Sequence, residues 1–294
     1  MAPWLPGTRR MPSAGEELGG GVRVLGDADT PGLRALVDRD PVAHLFMDSQ
    51  LEATGTAAPS STGSLVLGRF DGNRLAAACW VGMNIVPVEA SPEDATAFAD
   101  AILPLERRFS SVFGDARTVL SLWSRLQDGP QRAFDIRASQ PLMRLDRAPE
   151  PGPGVVRRTR EEEYDVVLPA CAAMFQEELG YSPLAGGGSY YRARVRTLIR
   201  QGHSFVDLEP SGRVRFKAEL GTVSPRATQI QGVWLAPQFR GLGLAAGYMA
   251  SVARHALELA PVTSLYVNDY NTPALATYRR VGFHQVGEFA TILF

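Results

Sequence analysis

Gln231-Gly-Val-Trp-Leu-Ala-Pro-Gln-Phe-Arg-Gly-Leu-Gly-Leu-Ala245 is the stretch whose reading decides the fold. A short apolar strand runs into a glycine-punctuated turn, Gln238-Phe239-Arg240-Gly241-Leu242-Gly243, and then into a long helical pattern. Backbone N–H groups at a helix start have no intrahelical partner, and the helix dipole adds partial positive charge there. A phosphate or pyrophosphate is the natural ligand of such a turn. Gly241 and Gly243 let the backbone approach that anion with no Cβ in the way. Strand, glycine turn and helix together predict an α/β protein that holds a phosphorylated cofactor.

Working outward, the second half opens with a short strand at 155–158. A helix follows from the acidic cluster Glu161-Glu162-Glu163 to about Gly180, acidic residues suiting a helix N-terminus. A Gly/Ser-rich loop at 185–189 precedes a helix over 190–201. Two strands, 203–208 and 213–221, flank a Pro-Ser-Gly turn and read as a hairpin. A strand at 228–235 enters the glycine turn, and the helix beyond it runs to about 259. A strand at 264–268, a helix at 273–281 and two closing strands, 283–287 and 289–294, complete this half. The first half repeats the order: helical segments near 30–38 and 42–54, strands at 64–70, 74–81 and 84–89, then a helix at 92–103. A strand at 110–113, a helix at 115–126 and strands around 132–145 follow. Two copies of one α/β (α+β) architecture are expected.

The run Arg147-Ala-Pro-Glu-Pro-Gly-Pro-Gly154 separates them, since its three prolines and two glycines carry no helix. The expected organisation is a disordered lead over 1–21, a domain over 22–146, a linker over 147–154 and a domain over 155–294. With 45% apolar and 21% charged residues the chain reads as a globular protein. A net charge of -1 gives no attraction to nucleic acid or to an anionic membrane, so neither is expected as a partner. No apolar run reaches transmembrane length and the first residues lack a signal-peptide centre, so a cytoplasmic location is expected. Cys79 and Cys171 sit in apolar segments without partners at ligand spacing, and no metal is expected. The isolated His203, His255 and His284 and the arginines 192, 194, 196 and 200 read as surface or core residues.

Two motifs in order carry a family resemblance. Gln238-x-x-Gly241-x-Gly243 is followed by Leu265-Tyr-Val-Asn-Asp-Tyr-Asn271, then Ala274, Tyr278 and Gly282-Phe283. On these residues the second half resembles the GNAT superfamily, the GCN5-related N-acetyltransferases. The whole chain also resembles a bacterial GNAT subgroup with an N-terminal domain of the DUF4081 type. That impression rests on Arg39-Asp-Pro-Val-Ala-His44, Trp80-Val-Gly-Met-Asn-Ile-Val-Pro87 and the ending Phe289-Ala-Thr-Ile-Leu-Phe294. The resemblance implies tandem GNAT-like domains, each a central mixed, mostly antiparallel sheet flanked by helices. It implies an N-acetyltransferase using acetyl-CoA as cosubstrate and an amine as acceptor, by direct attack in a ternary complex.

By that resemblance Gln238 and the backbone from Arg240 through Gly241, Gly243, Leu244 and Ala245 hold the pyrophosphate. Val233 and Leu235 pair with the pantetheine arm as a further strand would. Asn271 hydrogen-bonds the same arm, or caps the helix that follows it. Tyr278 stands where a phenol protonates the departing thiolate, or is a core tyrosine. A general base is wanted for the amine. Gln229 and Gln231 cannot ionise at neutral pH, so Glu219 is the first candidate and Glu177 or Glu178 the next. Glu219 also reads as a partner for Lys217, because residues two apart on a strand share a face. Glu177, Glu178, Tyr181 and Asp269 are candidates for a cleft that takes cationic amines.

In the first half, Ala90-Ser-Pro-Glu-Asp94 stands where a cofactor turn would fall. It has no glycine, and two carboxylates at the helix start repel phosphate, so no CoA is expected there. Aminoacyl or another acyl transfer on the same scaffold, or a non-catalytic acyl-CoA sensor, are the alternative readings. The sequence leaves the acceptor and the oligomeric state open.

Overall fold

The computed structural model describes residues 12–294. In chain order the first elements are β1 (Glu17–Gly19), β2 (Val22–Val24), α1 (Thr30–Val37) and α2 (Leu45–Thr54). Strands β3 (Leu65–Asp71), β4 (Arg74–Val81) and β5 (Asn84–Val88) follow. Then come α3 (Pro92–Ile102), β6 (Ser111–Asp115), α4 (Ala116–Leu126) and β7 (Asp135–Leu145). The second half runs β8 (Arg157–Arg158), α5 (Tyr164–Leu179), α6 (Ser189–Arg200), β9 (Ser204–Leu208), β10 (Val214–Val223) and β11 (Thr228–Leu235). It ends with α7 (Ala245–Leu257), β12 (Thr263–Tyr266), α8 (Thr272–Val281) and β13 (His284–Leu293).

The chain forms two compact units, each mixed α/β. One holds the residues up to Leu142 together with Tyr266–Tyr270 and Gln285–Phe294. The other holds Met143–Leu265 and Asn271–His284. This partition is not the single cut that the Pro/Gly run at 147–154 suggests.

In the N-terminal unit the strands lie in the order β1 to β6, then β13 and β7. Neighbours from β1 to β5 are antiparallel, and β5 pairs with β6 in parallel. Residues 1–11 of the expected disordered lead lie outside the described residues. The rest of that lead departs from expectation, because Glu17–Gly19 pairs with Val22–Val24. The two closing strands expected at 283–294 are one strand, β13, and its second half runs antiparallel to β6 from Phe289↔Asp115 to Leu293↔Ser111. Ala290 and Ile292 are sealed there in a core with Phe98, Val112, Val119 and Leu122. Burial of that alternating apolar face assigns the strand to this unit.

In the other unit the strand order is β12-β11-β10-β9-β8. All neighbours are antiparallel except β11 with β12. Successive residues point to opposite faces, which separates the two helical layers. Phe205 stacks on His255 of α7 and Phe216 on Tyr248 of α7. Val206 packs in a cluster with Val167 and Cys171 of α5 and with Val195 and Ile199 of α6. The run 147–154 is fastened along α7 as a strap. The Arg254 guanidinium donates to the Pro149 carbonyl at 3.3 Å, and the Val156 N–H donates to Ser251 Oγ at 3.1 Å.

Candidate active site

The glycine turn is built as the sequence predicts. One turn of 3-10 helix, Pro237–Phe239, ends β11, and Gly241 and Gly243 follow with φ of 77° and 75°. A Cβ at either glycine would meet no protein atom, so the conformation, and not crowding by the chain, calls for glycine. Gln238 and Arg240 to Gly243 are exposed, and Leu244 and Ala245 are half-buried. No side chain caps α7, so its first N–H groups face the turn without a side-chain acceptor. Arg240 is tied back: its Nε donates to the Leu235 carbonyl at 2.8 Å and its Nη2 to Glu177 Oε2 at 2.8 Å. The Trp234 indole donates to the other Glu177 oxygen at 3.1 Å. Glu177 therefore braces the turn; its two oxygens are occupied by Trp234 and Arg240.

Strand β11 bulges just before the turn. Lys217 on β10 faces Trp234 and Glu219 faces Gln231, so two steps on β10 span three on β11. Gly232 absorbs the extra residue with φ of 59°. Strand β12 pairs with β11 at Thr228↔Thr263 and Gln229↔Ser264. Beyond those pairs β11 leaves its parallel neighbour, and Val233 and Leu235 stand half-buried on the freed edge. Such an edge receives an extended chain by strand addition.

Beneath the bulge lies a buried charge cluster. Lys217 is fully buried and its ammonium donates to Glu219 Oε1. The same ammonium lies 3.4 Å from Cys171 Sγ, and that thiol lies 3.5 Å from Glu219 Oε1. Burial, the largest single effect, drives the Lys217 ammonium down, but the charge and hydrogen bond of Glu219, with the neighbouring Cys171 and Tyr191, together raise its pKa. Burial is likewise the largest effect on the Glu219 carboxylate, and the charge and hydrogen bond of Lys217, with Arg194 and Cys171, together hold its pKa below the usual range. Burial pushes the Cys171 thiol up to about 11, so it stays protonated at neutral pH. A carboxylate held ionised by a buried ammonium is a weak proton acceptor. The geometry of Glu219 fits the ion-pair reading of this residue and not the general-base reading. Removing one partner of such a pair costs about 3–5 kcal/mol.

Tyr278 lies on α8, 8% exposed, with its ring edge toward Phe283. Burial, and then the nearby Glu178 charge, raises its phenol pKa, so the group stays protonated. Glu178 is exposed at the end of α5, and its effect on the phenol places the two side chains in electrostatic reach. Tyr181 stands half-exposed with its ring edge on Phe175. Asn271 caps α8, its side chain accepting from the Ala274 N–H at 3.3 Å. Asp269 falls in the segment counted with the N-terminal unit, where its N–H donates to the Ser139 carbonyl at 3.2 Å. The Glu178 charge thus acts on the Tyr278 phenol, and Asp269 is grouped with the N-terminal unit.

Comparison with known families decides what this arrangement is. Residues 174–283 match the acetyltransferase (GNAT) family. The chain carries a GNAT acetyltransferase domain. Residues 64–167 match a domain of unknown function, DUF4081. The fold is shared with a GNAT-family acetyltransferase from Colwellia psychrerythraea, 12% identical, with a TM-score of 0.58 over 93% of this chain and 99% of that one. A GCN5-related N-acetyltransferase from Sphaerobacter thermophilus is 15% identical, with a TM-score of 0.58 over 92% of this chain and 94% of that one. A tandem GNAT protein from the clavulanic acid biosynthesis pathway is 13% identical, with a TM-score of 0.52 over 92% and 97%. These likenesses concern the fold. Comparison with curated protein sequences finds no match.

In the N-terminal unit the start of α3 is closed by the chain itself. Ser91 Oγ accepts from the Asp94 N–H at 3.1 Å, and Asp94 Oδ2 accepts from the Ser91 N–H at 2.9 Å. Glu93 and Asp94 put two carboxylates in that first turn. Among the described residues no group of three or more His, Cys, Asp or Glu is arranged to hold a metal. Among the described residues no helix is long and apolar enough to cross a membrane. Sequence reasoning missed the Trp234–Glu177–Arg240 brace of the GNAT turn, since its members are far apart in the chain and carry no common pattern. It also missed the closeness of Cys171 to Lys217.

Proposed function

We propose that the GNAT domain transfers an acetyl group from acetyl-CoA to a primary amine by direct attack in a ternary complex. The observation that carries this reading is the freed edge of β11 leading into the uncapped start of α7. Acetyl-CoA supplies the activated thioester. The N–H groups from Arg240 to Ala245, with Gln238 beside them, receive the pyrophosphate. The edge at Val233 and Leu235 aligns the pantetheine arm, and an N–H there polarises the thioester carbonyl. Asn271 contacts the same arm while capping α8.

Tyr278 protonates the departing thiolate; its buried, raised phenol supports that role. For the base, Glu219 is held by Lys217 and Glu177 by Trp234 and Arg240. Glu178, exposed at the end of α5 and acting by its charge on the Tyr278 phenol, is assigned to pair with the incoming ammonium and take its proton. Glu178 and Tyr181 then favour cationic acceptors. The N-terminal unit binds no CoA, because the α3 start is capped by its own carboxylate.

Thiol release from acetyl-CoA against amines, polyamines, amino acids and peptides tests the reaction. Turnover confined to anionic acceptors would refute the role given to Glu178. Binding of acetyl-CoA with no thiol release across the panel would leave a sensor in place of an enzyme. Calorimetry on the full chain should give one acetyl-CoA per molecule; two would refute the assignment to a single half.

A further inference from the structure

The Lys217–Glu219 pair is buried in the strand next to the bulge, and the reaction as proposed makes no use of it. Its placement is specific. A Cβ on Gly232 would stand 3.1 Å from Glu219 Oε2 and 3.2 Å from Lys217 Nζ, so the pair packs directly against the Gly232 backbone. Lys217 and Glu219 are also the two positions whose partners on β11 bracket the extra residue. Two side chains on one face of β10 thus close over the left-handed residue of β11. Arg194 of α6 adds a guanidinium 3.9 Å from Glu219 Oε2, and Cys171 of α5 closes the other side.

A bulge needs a reason to stay at one position, because β-strand register slips where neither face holds it. An ion pair in a dry interior tolerates little displacement, since separation leaves two uncompensated charges. Moving the bulge by one residue would carry a side chain into the space that the pair now fills. It would also turn the N–H groups of Val233 and Leu235 away from the freed edge.

We infer that Lys217 and Glu219 are positioning residues that lock the Gly232 bulge and so aim the β11 edge at the thioester. The inference rests on the acetyl-transfer reading for its catalytic consequence, and on the fold alone for its structural one. The experiment is the double variant Lys217→Met/Glu219→Gln, read by hydrogen exchange without substrate and by steady-state kinetics. Replacing both charges removes the uncompensated partner, so the variant is expected to melt cooperatively near wild type. The amides of Trp234 and Ala236, which point toward β10, should exchange about tenfold faster or more, with flanking strands unchanged. Turnover should fall about tenfold or more, with KM for acetyl-CoA within about twofold. A folded double variant with wild-type exchange at these two amides overturns the inference, as does wild-type turnover. If the double variant fails to fold, the same exchange is read on Glu219→Gln, which keeps the shape and an acceptor for Lys217. Failure of both to fold makes the pair a requirement of the whole domain and overturns a role specific to the bulge. An inactive wild type would sink the acetyl-transfer reading and leave the exchange result standing.

Discussion

The Pro153 carbonyl oxygen fills the space where a Cβ on Gly247 would sit. Gly152 repeats the contact, since its own Cβ would stand 3.0 Å from the Gly247 Cα. The strap therefore runs against α7, the helix that follows the glycine turn. Gly247→Ala forces strap or helix to move, and overpacking of this kind costs about 1–3 kcal/mol. A fall in Tm of about 2–12 °C is expected by calorimetry. An unchanged Tm would mean that the strap yields freely.

Tyr278→Phe keeps the ring and its packing on Phe283 and removes the proton donor. Turnover should fall about 100-fold or more while acetyl-CoA affinity by calorimetry holds. Because burial and the Glu178 charge raise the phenol, the alkaline limb of wild-type turnover should lie above an ordinary tyrosine pKa of about 10. A limb below that value, or wild-type turnover in the variant, contradicts the acid role.

Gly243 holds φ of 75° in open space, so Gly243→Ala adds backbone strain without a clash inside the protein. The strain is about 1–2 kcal/mol, and the added methyl stands where the anion approaches. Acetyl-CoA should bind about tenfold more weakly by titration, with chain stability lowered only by the strain. Equal affinity would remove this turn from the cofactor site.

Glu177→Ala frees Trp234 and Arg240 from their shared carboxylate. The turn then loses its brace, and KM for acetyl-CoA should rise several-fold with turnover little changed. A change in turnover at constant KM would instead place Glu177 in the chemistry.

In the N-terminal unit Asp29 accepts two hydrogen bonds from the Arg23 guanidinium, at 2.8 and 2.9 Å. The Arg23 hydrogen bonds hold its pKa below the ordinary aspartate value of 3.8. The unfolded chain then binds the proton more readily than the folded one. Stability from this contact is full above about pH 3.8 and is lost as pH falls through the lower folded value. Urea unfolding should show Asp29→Asn less stable than wild type at pH 7, by about 1 kcal/mol, with the gap closing in strong acid. A gap that stays constant with pH would assign the loss to the Gly26 turn instead.

Much of the site was legible in the residues because its information is local. Gly241, Gly243 and the pattern after Leu244 specify a turn and a helix start within a few residues of each other. Asn271 before Thr272-Pro273 marks a cap in the same way, and the spacing to Tyr278 places the phenol on the helix that follows. The pairing of Lys217 with Glu219 was readable from strand period as one of two meanings. Burial was needed to choose between them, because an exposed pair would have left the carboxylate available to accept a proton.

Other assignments waited for contacts between distant segments. Glu177 and Glu178 are adjacent and chemically alike, yet one braces Trp234 and Arg240 while the other lies in reach of Tyr278. Only helix phase against the folded sheet separates them. The apolar ending of the chain announces a strand but not its neighbour, and the core around Phe98 and Val112 decided that Ala290 and Ile292 join the N-terminal unit. By itself the sequence determined the glycine turn, the start of the helix after it and most of the order of elements, since backbone conformation and local hydrogen bonding set these. Tertiary structure decided that Glu219 is buried against Lys217, that Glu177 is tied to Trp234 and Arg240 and where the last strand pairs, since each depends on which surfaces are buried together.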